Sequence, residues 1–263
     1  MSVVFHELEI MTVIRETPDC TSFELRVPTE LHDDFRYRAG QHLTFKFPWD
    51  DFEVTRCYSL SSCPELEEPM RIAVKRVEGG RISNWVNEHW KPGDRVAVSV
   101  PEGRFVLDPE TRSSTPLFLF AGGSGITPII SLLKSALVGS HRHVTVMFAN
   151  RDAESVVYRE ELGRLVAAHP DRLKLHYHLD SEHGFLDADE IRSLLHHTDI
   201  AEFYICGPEP FMELVERTLH GAGVHEELIY IERFASPADP DRATQTDVDE
   251  AALPAPESFS LWL

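Results

Sequence analysis

Cysteine and basic residues are both scarce in this sequence. There are four cysteines, Cys20, Cys57, Cys63 and Cys206, and no two of them stand at C-x-x-C spacing. That leaves no disulfide framework, no zinc site and no thioredoxin-type pair to build. The four read instead as small core thiols in a reducing cytoplasm. Lysine and arginine number 25 against 44 aspartates and glutamates, for a net charge of −19. A field of that sign repels phosphate backbones and anionic lipid, so nucleic acid and membrane surfaces are not expected partners. The first ten residues carry His6, Glu7 and Glu9 and lack both a basic n-region and an unbroken apolar stretch, which argues against a secretory signal. No segment is apolar for long enough to span a membrane. There is no internal repeat, no G-x-S-x-G and no H-E-x-x-H, so the common hydrolase readings fall away. His176 with His178, His141 with His143, and the pair His196 and His197 have no carboxylate or cysteine at ligand spacing and read as surface or core histidines.

What the chain does have is a folded-protein composition, 42% hydrophobic and 26% charged over 263 residues, enough for one large domain or two ordinary ones. Short apolar or alternating runs at 8–14, 21–27, 42–47, 70–77 and 95–100, separated by turn residues, predict an antiparallel barrel or sandwich. One helix, 83–90, interrupts them after Gly79 and Gly80. Beyond Asp108 the pattern changes to strands at 116–121, 143–149, 173–179, 202–206 and 227–232 alternating with helices at 128–138, 155–168, 187–195 and 209–221. That alternation predicts a parallel sheet covered on both faces. The expected division is 1–110, 111–234 and a Pro-, Ala- and Asp-rich tail at 235–263 that reads as a solvated linker running into a strand-like end.

Two motifs carry chemistry. Gly122-Gly-Ser-Gly-Ile-Thr-Pro128 lies between a buried strand and a helix. Its glycines, Gly122 and Gly123 first, let a backbone approach a pyrophosphate, and the helix start offers free N–H groups. Thr127 is placed to cap that helix, with Pro128 at its first position. In Arg56-Cys-Tyr-Ser59, period two puts Arg56 and Tyr58 on one strand face and Cys57 on the other. An aromatic plane beside a fixed cation suits a flat, phosphate-bearing ring, although an ordinary exposed strand would read the same.

The order of these motifs, followed by Cys206-Gly207-Pro208, resembles the ferredoxin–NADP reductase superfamily across residues 5–234. More narrowly it resembles the reductase components of Rieske-type oxygenases, of the 3-ketosteroid 9α-hydroxylase kind. The supporting stretches are Arg56-Cys-Tyr-Ser-Leu60, Val74-Lys-Arg76, Ser83-Asn-Trp85, Ala149-Asn-Arg-Asp152, Ile205-Cys-Gly-Pro208 and Pro210-Phe-Met212. The resemblance implies a flavin-binding antiparallel β-barrel followed by an α/β parallel-sheet nucleotide domain. It places Arg56 on the flavin phosphate, with Cys57 beside it, Tyr58 on the ring and Ser59 near N5. The Val74 and Lys75 backbone would run along the ribityl and pyrophosphate, and Gly80, Arg81, Ile82 and Ser83 would hold the pyrophosphate, which favours FAD over FMN. Phe234 matches a terminal aromatic close to the flavin.

The same resemblance assigns Gly122, Gly123 and Thr127 to the junction of nicotinamide and flavin, and Cys206, Gly207 and Pro208 to the flank of the nicotinamide. Ser59, Thr127 and Cys206 are thus the candidate catalytic residues, in tuning and positioning roles. Asn150 and Arg151 would face the adenosine, and the carboxylates around Arg151 favour NADH, with NADP(H) as the alternative. The implied activity passes a hydride from NADH to FAD and then single electrons to an iron–sulfur acceptor serving an oxygenase. That acceptor is either a ferredoxin domain in cis or the oxygenase component. No C-x4-C-x2-C spacing occurs, so no 2Fe-2S cluster is expected in this chain, and the tail is expected to be the start of a missing ferredoxin domain. A stand-alone flavin reductase and a non-catalytic nucleotide-binding redox subunit are the rival readings.

Overall fold

The computed structural model describes residues 3–49, 52–107, 114–195 and 201–234. Two sheets organise them. The first is antiparallel and contains β1 (His6–Thr17), β2 (Cys20–Arg26), β3 (His42–Trp49), β4 (Phe52–Ser59), β5 (Met70–Lys75) and β6 (Arg95–Val98), in the order β4-β3-β6-β1-β2-β5. Its two ends meet through a bridge between Leu60 and Ile72, closing the sheet into a barrel. Alternate residues point inward as the pleat requires: Leu8 and Ile10, Phe23 and Leu25, Leu43, Phe45 and Phe47, Ile72 and Val74, Val96 and Val98 form one core. Helix α1 (Arg81–His89) plugs one end of this barrel with Ile82 and Val86, and the following Trp90 stacks on Phe47.

The second sheet is parallel: β7 (Leu117–Gly122), β8 (Val144–Asn150), β9 (Leu173–Leu179), β10 (Glu202–Cys206) and β11 (Ile229–Glu232), ordered β11-β10-β7-β8-β9. Successive residues of β7 serve opposite faces. Leu117, Leu119 and Ala121 join the core under α2 (Ile126–Gly139) and α3 (Arg159–Ala168). Phe118 and Phe120 join the core under α5 (Ala188–Leu194) and α6 (Glu209–Gly221). This double burial is why β7 reads as an almost unbroken apolar run. A short helix, α4 (Asp180–His183), follows β9.

Four local expectations need correction. The expected helix over 155–168 starts only at Arg159. A turn over Ala153–Ser155, capped by Asp152, comes first, and Tyr158 sits at φ +60, where a helix cannot continue. Helix α2 starts at Ile126, so Thr127 lies inside its first turn and donates to the Ser124 carbonyl at 3.1 Å instead of capping. Helix α1 starts two residues before the expected 83, with extended Gly80 as its N-cap; Ser83 lies inside and accepts from the Val77 N–H at 3.1 Å. The strand expected over 227–232 is shorter, because residues Glu226–Leu228 form a 3-10 turn before β11. The expected division near residue 110 and the tail beyond 234 lie outside the described residues.

Side chains from the barrel half and from the helices packed on the parallel sheet meet in one buried seam. Lys134 of α2 is 2% exposed and donates to Glu68 at 2.6 Å and to Glu161 at 2.9 Å. Arg71 of β5 donates to the other Glu161 oxygen at 2.7 Å and lies 4.7 Å over the Tyr158 ring. The Tyr158 hydroxyl donates to Ser61 at 2.9 Å, and Ser131 donates to the Ser62 carbonyl at 2.6 Å. Burial pushes the Glu161 carboxyl up, but Arg71 and Lys134 outweigh it and hold the group below the usual carboxylate range. That stability is present above the usual carboxylate range and is lost as pH falls through the depressed value. Lys134→Met takes the cation from Glu68 and leaves Glu161 to Arg71 alone, and should cost about 3 kcal/mol in urea unfolding near neutral pH, with a smaller penalty in acid where the carboxylates are protonated.

Candidate active site

A cleft of about 350 Å³ opens where the barrel faces the start of α2. From β4 it takes Arg56, Cys57, Tyr58 and Ser59; from β5, Ala73 and Lys75; from the turn into α1, Val77, Glu78, Gly80 and Ser83. Ser124 and Thr127 enter from the glycine-rich turn, and Phe234 closes one side. The register of β3 with β4 pairs Phe45 with Arg56 and Leu43 with Tyr58, so these two share a face while exposed Cys57 points away. Tyr58 also packs edge-on against Phe45 at 5.4 Å. Burial pushes its phenol up and Arg56 opposes this only partly, so the ring stays neutral at physiological pH.

The cleft's chemistry suits a flat aromatic ring carrying a diphosphate. Arg56 and Lys75 bring positive charge to a chain of net charge −19, and no side chain caps the first turn of α1. That turn therefore offers N–H donors and the positive end of a helix dipole to an anion. Tyr58, Ala73, Val77 and Phe234 supply apolar surface. The residues present thus fit FAD. Of the other residues assigned to the flavin, Val74 turns its side chain into the barrel core, so only its backbone can serve. Ile82 is likewise buried, at 2% exposure, and Arg81 is exposed beside the cleft.

The residues expected on the nicotinamide side gather where the turns after β7 and β10 meet. Cys206 pairs with Ala121 across β10 and β7, and a Cβ on Gly125 would overlap the Cys206 carbonyl oxygen. A Cβ on Gly207 would lie 3.0 Å from the Gly122 backbone, and one on Gly122 would lie 2.8 Å from Pro208. The turns after β7 and β10 are nested, with room for hydrogen only. Gly123, at φ +53, has nothing near its missing Cβ and is needed for its backbone conformation. Burial, with a smaller contribution from Glu232, pushes the Cys206 thiol well up, so it is a neutral packing group and not a thiolate. Asn150 is buried at the end of β8 with its Oδ1 unpartnered, while exposed Arg151 lies 3.1 Å from Asp152 and 3.8 Å from Asp19.

Family models of an oxidoreductase FAD-binding domain and an oxidoreductase NAD-binding domain match residues 7–107 and 119–217. Over 243 residues the chain is 38% identical to the ferredoxin reductase component of 3-ketosteroid-9-alpha-monooxygenase from Rhodococcus rhodochrous, covering 92% of this chain and 68% of that one. This chain belongs to the ferredoxin reductase family. The reductase is also 34% identical, over 89% of its length and 68% of the relative's, to one component of the 1,2-phenylacetyl-CoA epoxidase from Escherichia coli. Its fold matches the CS-b5R domains of human Ncb5or in the NAD+ form, with a TM-score of 0.77 at 24% identity, covering 89% of this chain and 70% of that one. It is a flavoprotein oxidoreductase that binds FAD and NAD and passes electrons to a partner.

Some of this reductase's site was not anticipated. Ala73 lies two residues from Lys75 on the same strand face, and Ser124 lies inside the glycine motif, so both were open to inference. Val77 and Glu78 carry no signal in the sequence. Nor does Glu232, whose carboxyl is pushed up by burial and lies 3.9 Å from His42. Among the described residues no helix is long and apolar enough to cross a membrane, and no cluster of His, Cys, Asp or Glu could hold a metal. Gly125→Ala should cost about 1–3 kcal/mol in thermal unfolding by forcing the two nested turns apart, with far-UV circular dichroism retained.

Proposed function

We propose that this reductase takes the hydride of NADH onto FAD held in the cleft and passes single electrons to an iron–sulfur acceptor that serves an oxygenase. One observation carries the reading: residues of the barrel (Arg56, Tyr58, Ser59) and of the dinucleotide turn (Ser124, Thr127) line a single cavity. Donor and acceptor rings would meet there without a domain movement. FAD, when bound, supplies the conversion of one two-electron donor into two one-electron deliveries.

The chain's own groups bind and orient. Arg56, Lys75 and the start of α1 from Gly80 through Arg81 and Ile82 to Ser83 hold the diphosphate, with the Val74 backbone alongside. Tyr58 and Phe234 bracket the flavin, and Cys57 lies at the rim. Ser59 and Thr127 place neutral hydroxyls at the reacting edge, and Cys206 packs as a neutral thiol. Gly122, Gly123, Gly207 and Pro208 let the nicotinamide end approach closely, and Asn150 and Arg151 receive the adenosine end. Residues 1–110 act as the flavin unit and 111–234 as the nicotinamide unit.

The names of the two relatives point to oxygenases of ring compounds, a steroid in one case. A hydrophobic ring compound is accordingly the proposed final substrate class. Four free cysteines, three of them buried, are compatible with the reducing cytoplasm proposed for this reductase.

Arg56→Ala removes a charge-assisted phosphate contact and should weaken FAD roughly 10- to 100-fold, read as lost flavin absorbance in the purified protein. Full flavin occupancy in that variant would refute the assignment. Arg151 already faces Asp152 and Asp19, so a 2′-phosphate would meet carboxylates. Steady-state kcat/KM for NADH should exceed that for NADPH by about tenfold or more.

A further inference from the structure

Strand β9 carries His178, 1% exposed, close to its end. Its Nε2 lies 2.8 Å from the Gly184 carbonyl oxygen and its Nδ1 lies 2.9 Å from a Glu190 carboxylate oxygen. A carbonyl oxygen only accepts, so Nε2 carries a hydrogen. A neutral imidazole then presents a bare lone pair at Nδ1, and a carboxylate facing it can only accept as well. Both bonds exist together only while the His178–Glu190 pair holds one additional proton, on either partner. The other groups facing this imidazole are the Asp180 carboxylate, 3.5 Å from Nε2, and the His183 ring at 5.9 Å, both on α4. Ala149 of β8 lies beside it, and the neighbouring Tyr177 feels Arg159 of α3. The carboxylates favour the proton; a charged His183 opposes it.

These two bonds fasten the segment 180–190 back onto the sheet. The segment leaves the C-terminal edge of β9, the edge outside which parallel sheets hold their ligands. The Ser181 N–H donates to the Arg151 carbonyl at 2.9 Å, tying the segment to the end of β8. We infer that His178 and Glu190 form a proton-dependent clasp that positions residues 180–185 against the adenosine half of the nicotinamide cofactor. Both are positioning residues, acting through the segment. The inference rests on the adenosine half lying at the end of β8, where Asn150 and Arg151 are proposed above to receive it.

The sign follows from linkage. Because both bonds require the additional proton, closure is favoured as pH falls and disfavoured as pH rises. A ligand that favours the closed segment therefore takes up a proton on binding, and its affinity falls at high pH.

The test uses ADP-ribose, which cannot be oxidised or reduced at a nicotinamide, titrated calorimetrically into the FAD-loaded protein across about pH 5.5 to 8.5. Buffers of different ionisation enthalpy report the proton taken up. The wild-type protein should lose roughly tenfold in affinity over that range, with net proton uptake. In Glu190→Gln the amide N–H can donate to a bare Nδ1, so both bonds form without the additional proton. That variant should bind at high pH as tightly as wild type does at low pH, with no proton uptake. Nitrogen-15 spectra of histidine-labelled wild type, assigned with His178→Gln, give an independent readout should Glu190→Gln fold poorly. They should show His178 changing protonation or tautomer together with the affinity. Binding of ADP-ribose that is independent of pH, or a Glu190→Gln protein that keeps the wild-type pH dependence, overturns the clasp. Absence of ADP-ribose binding at every pH, with NADH oxidation intact, overturns instead the placement of the adenosine half.

Discussion

An ammonium group 2% exposed, held between two glutamates with an arginine sharing one of them, is an expensive way to join two sheets. Hydrophobic residues of the same volume would seal the seam at least as well. What they would not supply is a single angle and register between the barrel and the parallel sheet. The ion pairs, the Tyr158 hydroxyl on Ser61 and the Ser131 hydroxyl on the Ser62 carbonyl are directional contacts, each satisfied in one arrangement. The cleft depends on that arrangement, because Arg56 and Tyr58 belong to one sheet and Ser124 and Thr127 to the turn that follows a strand of the other.

Within that frame the two halves solve different problems. The barrel side gathers positive charge and an uncapped helix start into a chain whose surface is strongly acidic, so an anionic group finds attraction there and repulsion over most of the remainder. The parallel-sheet side contributes almost no charge at the junction. Its contribution is backbone stripped of side chains, together with a thiol that burial keeps neutral. Hydride transfer needs alignment of two rings more than it needs an acid or a base, and the distribution of groups fits that requirement.

Much of this was legible in the residues. Period-two runs located five of the six barrel strands, and the strand carrying Arg56 was placed through its motif. The alternation of strands with periodic helices gave the parallel sheet, because such crossovers cover both of its faces. The glycine motif and the Arg-x-Tyr-Ser motif fell on either side of the cleft, as local chemistry would place them. Two kinds of failure stand out, partners distant in sequence and helix starts displaced by a few residues. Lys134 looks like the polar position of an amphipathic helix; its partners lie 66 and 27 residues away. Nothing local marks Tyr158 for a positive φ, since the hydroxyl contacts that hold it are tertiary. Ser83 and Thr127 are good capping residues by type, yet each lies inside the first turn, because extended Gly80 and the turn at Gly125 open the helices earlier. His178 could be read as a core histidine, but its two acceptors appear only once α4 and α5 fold over it.

The nested turns after β7 and β10 also limit how this scaffold can be re-engineered. Gly122, Gly125 and Gly207 leave no volume into which a larger residue could be accepted without moving the facing turn, so substitutions there are destabilising. The loops after β8 and β9 are different: Arg151 is exposed and the segment beyond Asp180 sits at the sheet's edge. On the proposed placement of the cofactor, the adenosine side is therefore the part this architecture leaves free to vary, while the nested turns are fixed by their own packing.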